Sequence, residues 1–245
     1  MNVETKERIL KKVRELKKLY HEGKIPTLKQ HEVHPNLSKG SRENYLYFTL
    51  APCLNFQRQS PALWAAAFKT YEDLETKYLF FPEHVQSVSR NKIQTDLLKH
   101  KLALQRNKHT DIWIAITSTL YTHFHSDPRE ILSQGGWKIS KILQLIQETY
   151  KDNFPYLRGP KMSNYWLYIL SSYTDASFLD MSNLSIIPDT HVLQSSVQLG
   201  LSRGTESSVQ LASIWRDLLK GSDITPVEMH PVLWHWSRNN FQPSV

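Results

Sequence analysis

Apolar residues in this chain recur every three to four positions, the spacing of one helix face, and not at every second position as in a half-buried strand. Residues 4–20 place Ile9, Val13, Leu16 and Tyr20 in that register, with Lys and Arg between them. Residues 24–40, with Ile25-Pro26, His34-Pro35-Asn36 and Lys39-Gly40, read as a connection. Arg42 to Leu54 is apolar and aromatic, interrupted by Pro52. Ser60-Pro61 supplies an N-cap and first position for a helix through Leu63, Trp64, Ala67 and Phe68. Phe81-Pro82-Glu83 opens another. A long basic amphipathic helix is then expected around Ile93, Leu97, Leu98, Lys101 and Leu104.

The pattern continues to the end of the chain. An apolar helix is predicted over 110–124, capped by Thr110 or Asp111, and a short one from Asp127-Pro128 to Gly135-Gly136. Further helices are expected at 138–150, 161–173, 190–199, 205–219 and 226–240. The last opens on Thr225-Pro226-Val227-Glu228, a capping box with proline in its first turn. No run alternates well enough to be a strand, so the expected fold is all-α.

Composition narrows the function classes. The 245 residues carry 30 Lys and Arg against 23 Asp and Glu, a formal charge of +7. No stretch approaches the roughly 18–20 apolar residues of a membrane span. The opening Met1-Asn2-Val3-Glu4-Thr5-Lys6 is charged and does not read as a signal peptide. A single cysteine, Cys53, excludes an intramolecular disulfide, a four-cysteine zinc site and a thiolate-held iron–sulfur cluster. His123 and His125 flank Phe124 with no nearby cysteine or paired carboxylates, so no metal and no cofactor is expected. A reducing, intracellular setting fits: cytoplasmic or nuclear, not secreted.

The positive charge is clustered. Residues 1–24 carry a net +4 and residues 90–108 a net +5, which leaves the remainder slightly acidic. Such clusters are the footprint of a polyanion partner, and equally of two solvated helix faces.

The chemistry concentrates in residues 151–192. Asn153-Phe154-Pro155-Tyr156-Leu157-Arg158-Gly159-Pro160 reads as a tight hairpin, and a helix follows at once with Lys161-Met162-Ser163-Asn164. Amides at the start of that helix point outward and suit a phosphate. Further on, Ile186-Ile187-Pro188-Asp189-Thr190-His191-Val192 sets an aspartate where the next helix begins.

These residues resemble the helix-hairpin-helix DNA glycosylase superfamily, the group that includes endonuclease III and the 8-oxoguanine glycosylases. Gly159-Pro160-Lys161-Met162-Ser163-Asn164 is similar to the family pattern Gly-x-Lys-[Thr/Val]-Ala-[Asn/Asp]. Pro188-Asp189-Thr190-His191 is similar to its Pro-x-Asp-x-His-type segment, with one residue fewer between Pro and Asp. The resemblance implies Lys161 as nucleophile and Asp189 as the carboxylate beside it. Gly159, Pro160 and Ser163 would meet DNA at the hairpin. Asn55-Phe56-Gln57-Arg58-Gln59 falls where the family inserts into the duplex, so Asn55 or Gln57 would fill the gap and Arg58 would face the orphaned base. Trp166, His191 and Trp234 are candidates for the base pocket. Three departures stand out. Only one hairpin glycine is present, Lys161 and Asp189 lie 28 positions apart through an inserted connection, and the C-terminal iron–sulfur cluster is missing.

The expected architecture is two helical lobes with the active site in the cleft between them. One lobe covers 42–173 and ends in the hairpin; the other joins 1–41 to 174–245 and carries Asp189. The expected activity is bifunctional: excision of a damaged base, with 8-oxoguanine as the lead, and cleavage at the abasic site through a Schiff base. An oxidised or hypermodified pyrimidine is the alternative substrate. A non-catalytic DNA-binding protein is the alternative of another class. The expected partner is double-stranded DNA carrying a modified base, met by a monomer.

Overall fold

The computed structural model describes residues 3–27 and 33–245. Residues 28–32 of the expected 24–40 connection, and Met1 and Asn2, lie outside the described residues. Every regular element among the described residues is helical, as the apolar spacing predicts. No helix among them is long and apolar enough to cross a membrane.

The chain divides into two compact units, one covering 30–180 and the other joining 1–29 to 181–245. Segments 33–41 and 174–180 were expected with the terminal lobe. Their contacts lie instead in the middle unit, where the Tyr47 hydroxyl donates to the Val33 carbonyl and the Tyr45 hydroxyl donates to Asp175.

The middle unit is built around α2 (Arg42–Leu50), which is buried on all sides from Asn44 to Leu50. A helix segment buried all round needs neighbours all round. Phe48 stacks on Tyr173 at 4.9 Å, Tyr47 stacks on Phe80 at 5.4 Å, and Phe80 meets Trp113 edge-on at 5.5 Å. A 3-10 turn over Ala51–Leu54 ends this segment at Pro52.

α3 (Ser60–Glu72) begins one residue earlier than expected. Gln59 is its N-cap, and the Ser60 hydroxyl pairs with the Tyr165 hydroxyl at 2.9 Å. After the short α4 (Pro82–Val85), the expected long basic helix is cut short. α5 (Arg90–Lys99) stops at His100, Lys101 takes a left-handed backbone at φ +59°, and α6 (Arg106–His123) starts four residues ahead of the expected cap. Thr110 caps nothing; its hydroxyl donates to the Arg106 carbonyl one turn back within the helix. α7 (Pro128–Gln134) is capped by Asp127 as expected. α8 (Ile139–Gln144) continues into a π-helical turn over Leu145–Thr149, and α9 (Pro160–Tyr173) closes the unit.

The terminal unit packs α1 (Val3–His21) with α10 (Thr190–Gln198), α11 (Ser208–Leu219) and α12 (Met229–Arg238). Ile9, Val13 and Leu16 of α1 join Val192, Leu211, Trp215, Leu218, Val232, Leu233 and Trp236 in one core. The Thr225–Glu228 capping box forms as read, with a 3-10 turn ahead of α12.

Candidate functional site

In the middle unit, the turn between the π-helical segment and α9 is a real hairpin. Its left-handed residue is Tyr156 at φ +66°, whereas Gly159 has an ordinary φ of −61°. The Gly159 amide donates to the Tyr156 carbonyl at 3.1 Å. A Cβ on residue 159 would sit 3.3 Å from that same carbonyl oxygen, so the glycine serves close backbone approach. Pro160 occupies the first turn of α9, where no amide is needed, and no side chain caps this end. Lys161 is exposed there, among first-turn amides that have no helical partner.

Two neighbours of Lys161 differ from expectation. Ser163, expected to touch DNA, is fully buried. Its hydroxyl accepts from Gln147 Nε2 at 2.8 Å and lies 3.1 Å from the Gly159 carbonyl, so it holds the hairpin together from inside. Trp166, expected in the base pocket, is also fully buried, and its indole N–H donates to Thr49 Oγ1 at 3.0 Å. Its place on α9 faces α2, which makes it a core residue. Tyr165 lies one turn on from Lys161 and accepts from Trp64 Nε1 at 3.1 Å, linking the start of α9 to α3.

The segment 55–58 lies against the hairpin and the α5–α6 turn. The Tyr156 hydroxyl donates to the Asn55 carbonyl, and Phe56 meets the Tyr156 ring edge-on at 5.6 Å. Asn55 and Gln57, interchangeable in the sequence, are distinguished here. Asn55 Oδ1 is buried without a hydrogen-bond partner, whereas Gln57 is exposed on a left-handed backbone at φ +52°. Arg58 does not face outward. Its guanidinium donates to the Lys101 and Leu102 carbonyls at 2.9 and 2.8 Å, and burial lowers it to about 10, so it stays charged at neutral pH. His109, fully buried beneath Phe56, accepts the Leu104 amide at Nδ1. Burial, then the charges of Arg58 and Lys108, depress it to about 4, which keeps it neutral.

In the terminal unit, Asp189 is the N-cap of α10, with Oδ1 accepting the Val192 amide at 2.8 Å. The carboxylate is half-buried. His191 on the next turn pairs through Nδ1 with Ser237 Oγ at 3.1 Å, and Ser237 donates onward to Gln194. With its proton given to Gln194, Ser237 Oγ is placed to accept from His191 Nδ1. The His191 ring meets Trp234 edge-on at 5.3 Å, and the Arg238 guanidinium lies 5.2 Å from the Trp234 ring centre. His191 and Trp234 thus stand together in half-buried positions beside the α10 cap. Lys161 belongs to the middle unit and Asp189 to the terminal one.

The basic clusters are largely engaged internally. In the first, Lys6 and Lys12 donate to the carbonyls of Asp217 and Val245. Arg14, Lys17 and Lys24 pair with Asp223, Glu228 and Glu22. In the second, Arg90 pairs with Asp111, Lys92 with Asp96, and Lys99 with Asp73 and Glu75, while Arg106 donates to Gln94.

Tyr156, His109 and Lys108 play parts here that the sequence reading did not assign. No signal in the chain connects segments fifty residues apart whose only tie is a side chain meeting a carbonyl or a ring. Compared with known proteins, the chain matches no family model and no curated sequence.

Proposed function

We propose that this protein is a DNA glycosylase with associated abasic-site lyase activity, in which Lys161 is the nucleophile and Asp189 the assisting carboxylate. The observation that carries the reading is Lys161 itself. It is an exposed primary amine at the uncapped start of a 14-residue helix, delivered by a hairpin whose backbone is locked by Tyr156, Gly159 and Ser163. An amine so placed has the positive end of the helix to attract a phosphodiester backbone while its own nitrogen reaches the sugar.

The neutral Lys161 nitrogen attacks C1′ as the glycosidic C1′–N bond breaks, and the base leaves with that bond's electron pair and takes up a proton. Positive charge develops on the sugar in the transition state, and an aspartate carboxylate stabilises it. The aminal then opens to a Schiff base as O4′ leaves C1′ with the bond's electron pair and takes up a proton. The C2′ proton passes to a base, Asp189 in this reading, and the electrons it leaves expel the 3′ phosphate by β-elimination. The substrate base has to leave the stack to be reached, and the exposed Gln57 on its left-handed loop suits the gap it leaves. His191 and Trp234 beside Asp189 suit a stacked base edge. Oxidised purine, chiefly 8-oxoguanine, is the leading substrate class.

Borohydride trapping tests this directly. Duplexes carrying 8-oxoguanine, an oxidised pyrimidine or an abasic site are incubated with the parent protein, Lys161→Gln and Asp189→Asn. The expected result is a covalent adduct on one base lesion that disappears in Lys161→Gln. Absence of any adduct and of any released base, with duplex binding retained, would make the protein a DNA-binding module instead. The ordinary N-cap bond of Asp189 is the observation that favours that second reading.

A further inference from the structure

Sorting the cations of residues 90–108 by what they touch separates two from the rest. Arg90, Lys92, Lys99 and Arg106 each have an acidic or amide side-chain partner. Lys101 and Lys108 are exposed, and neither has a carboxylate partner among the described residues. Both are fixed to the 55–58 loop. Arg58 holds the Lys101 carbonyl, and the Lys108 ammonium lies 4.1 Å from the centre of the Phe56 ring.

We propose that Lys101 and Lys108 form a backbone-binding patch of this loop, gripping phosphates of duplex DNA on either side of Gln57. This rests on the reading of duplex DNA as the partner, but not on base excision. Arg58, Lys101 and Lys108 lie on the loop and the segment bound to it, and none of the three has a carboxylate partner among the described residues. The field of two of them, Arg58 and Lys108, is felt by His109, which they help hold neutral. Like charges held together cost stability in the free protein, and a line of phosphates offsets that cost. The Phe56 ring face also preorganises the Lys108 side chain, so it loses little freedom on binding. The N-terminal basic helix, by contrast, has most of its cations turned to its own unit's carbonyls and acids.

The test is the salt dependence of binding to an undamaged duplex, read by fluorescence anisotropy with the full chain. Each phosphate contact contributes about 0.9 to the slope of log K against log salt. Lys101→Gln and Lys108→Gln are each expected to lower the slope by about one and their combination by about two. Glutamine leaves the left-handed strain at residue 101 unchanged. Lys108→Arg is expected to keep the parent slope, because it retains both charge and ring contact. Lys99→Gln and Lys12→Gln, which remove engaged cations, are expected to leave the slope alone, and unchanged melting temperatures would show that all variants fold. A double variant with the parent slope would overturn the patch, as would a parent that binds no duplex at low salt. A reduced slope in a protein that excises no base would support the patch while sinking the glycosylase reading.

Discussion

The phenol of Tyr156 donates its proton to the backbone carbonyl of Asn55, joining the turn ahead of α9 to the loop that follows α2 across 101 positions of sequence. Tyr156 holds a left-handed backbone to make this bond, and Phe56 packs edge-on against its ring. The turn that delivers Lys161 and the loop that carries Gln57 therefore share one hydrogen bond.

Tyr156→Phe keeps the ring and removes only that bond, so a loss of about 0.5–1.5 kcal/mol is expected. In a chain of this size that corresponds to a fall of roughly 2–4 °C in Tm per kcal/mol. An unchanged Tm would mean that the bond adds nothing to stability.

His109 predicts a pH dependence. Its folded value of about 4 lies below the ordinary 6.5, so between those values the unfolded chain binds the proton that the folded chain refuses. Stability from this group is complete above about pH 6.5 and declines as pH falls toward 4. Burial also lowers His235, in the same direction. The comparison of parent with His109→Gln isolates His109, since glutamine can accept the Leu104 amide without titrating. Urea midpoints across pH 4–7 are expected to fall less steeply in His109→Gln, and parallel curves would count against the assignment.

The two functions of Asp189, cap and carboxylate, separate by substitution. Asparagine caps a helix about as well as aspartate, whereas alanine costs about 1 kcal/mol. Asp189→Asn is therefore expected to fold like the parent and Asp189→Ala to be less stable, while both lose base release. Parent-like excision by Asp189→Asn would remove the carboxylate from the mechanism.

Trp166 and Trp234 looked equivalent in the sequence and are not. Trp166→Ala empties a fully buried site and is expected to cost about 3–5 kcal/mol in urea unfolding. Trp234→Ala removes a half-buried ring that touches His191 and Arg238, and is expected to cost distinctly less while weakening substrate binding. Equal losses of stability would place Trp234 in the core as well.

Much of this protein is local and was legible along the chain. Asp127 and Asp189 cap helices because a short acceptor side chain reaches amides two or three residues ahead, a relation fixed within one turn. The all-helical fold and the exposed Lys161 behind its hairpin belong to the same class, since helical periodicity and turn chemistry act over a few residues.

What the fold alone decided are relations between distant segments. The basic helix expected through Leu104 breaks at His100, and Lys101 turns left-handed where Arg58 binds its carbonyl from 43 positions away. Trp166 is core because α9 faces α2, and Asn55 turns inward while Gln57 turns out. Charge obeys the same division: a run of lysines can be counted in a sequence, but which of them meet an acid depends on packing. Short-range forces set the elements, whereas burial and pairing are settled only when elements meet, and the chemistry of a site is made of burial and pairing.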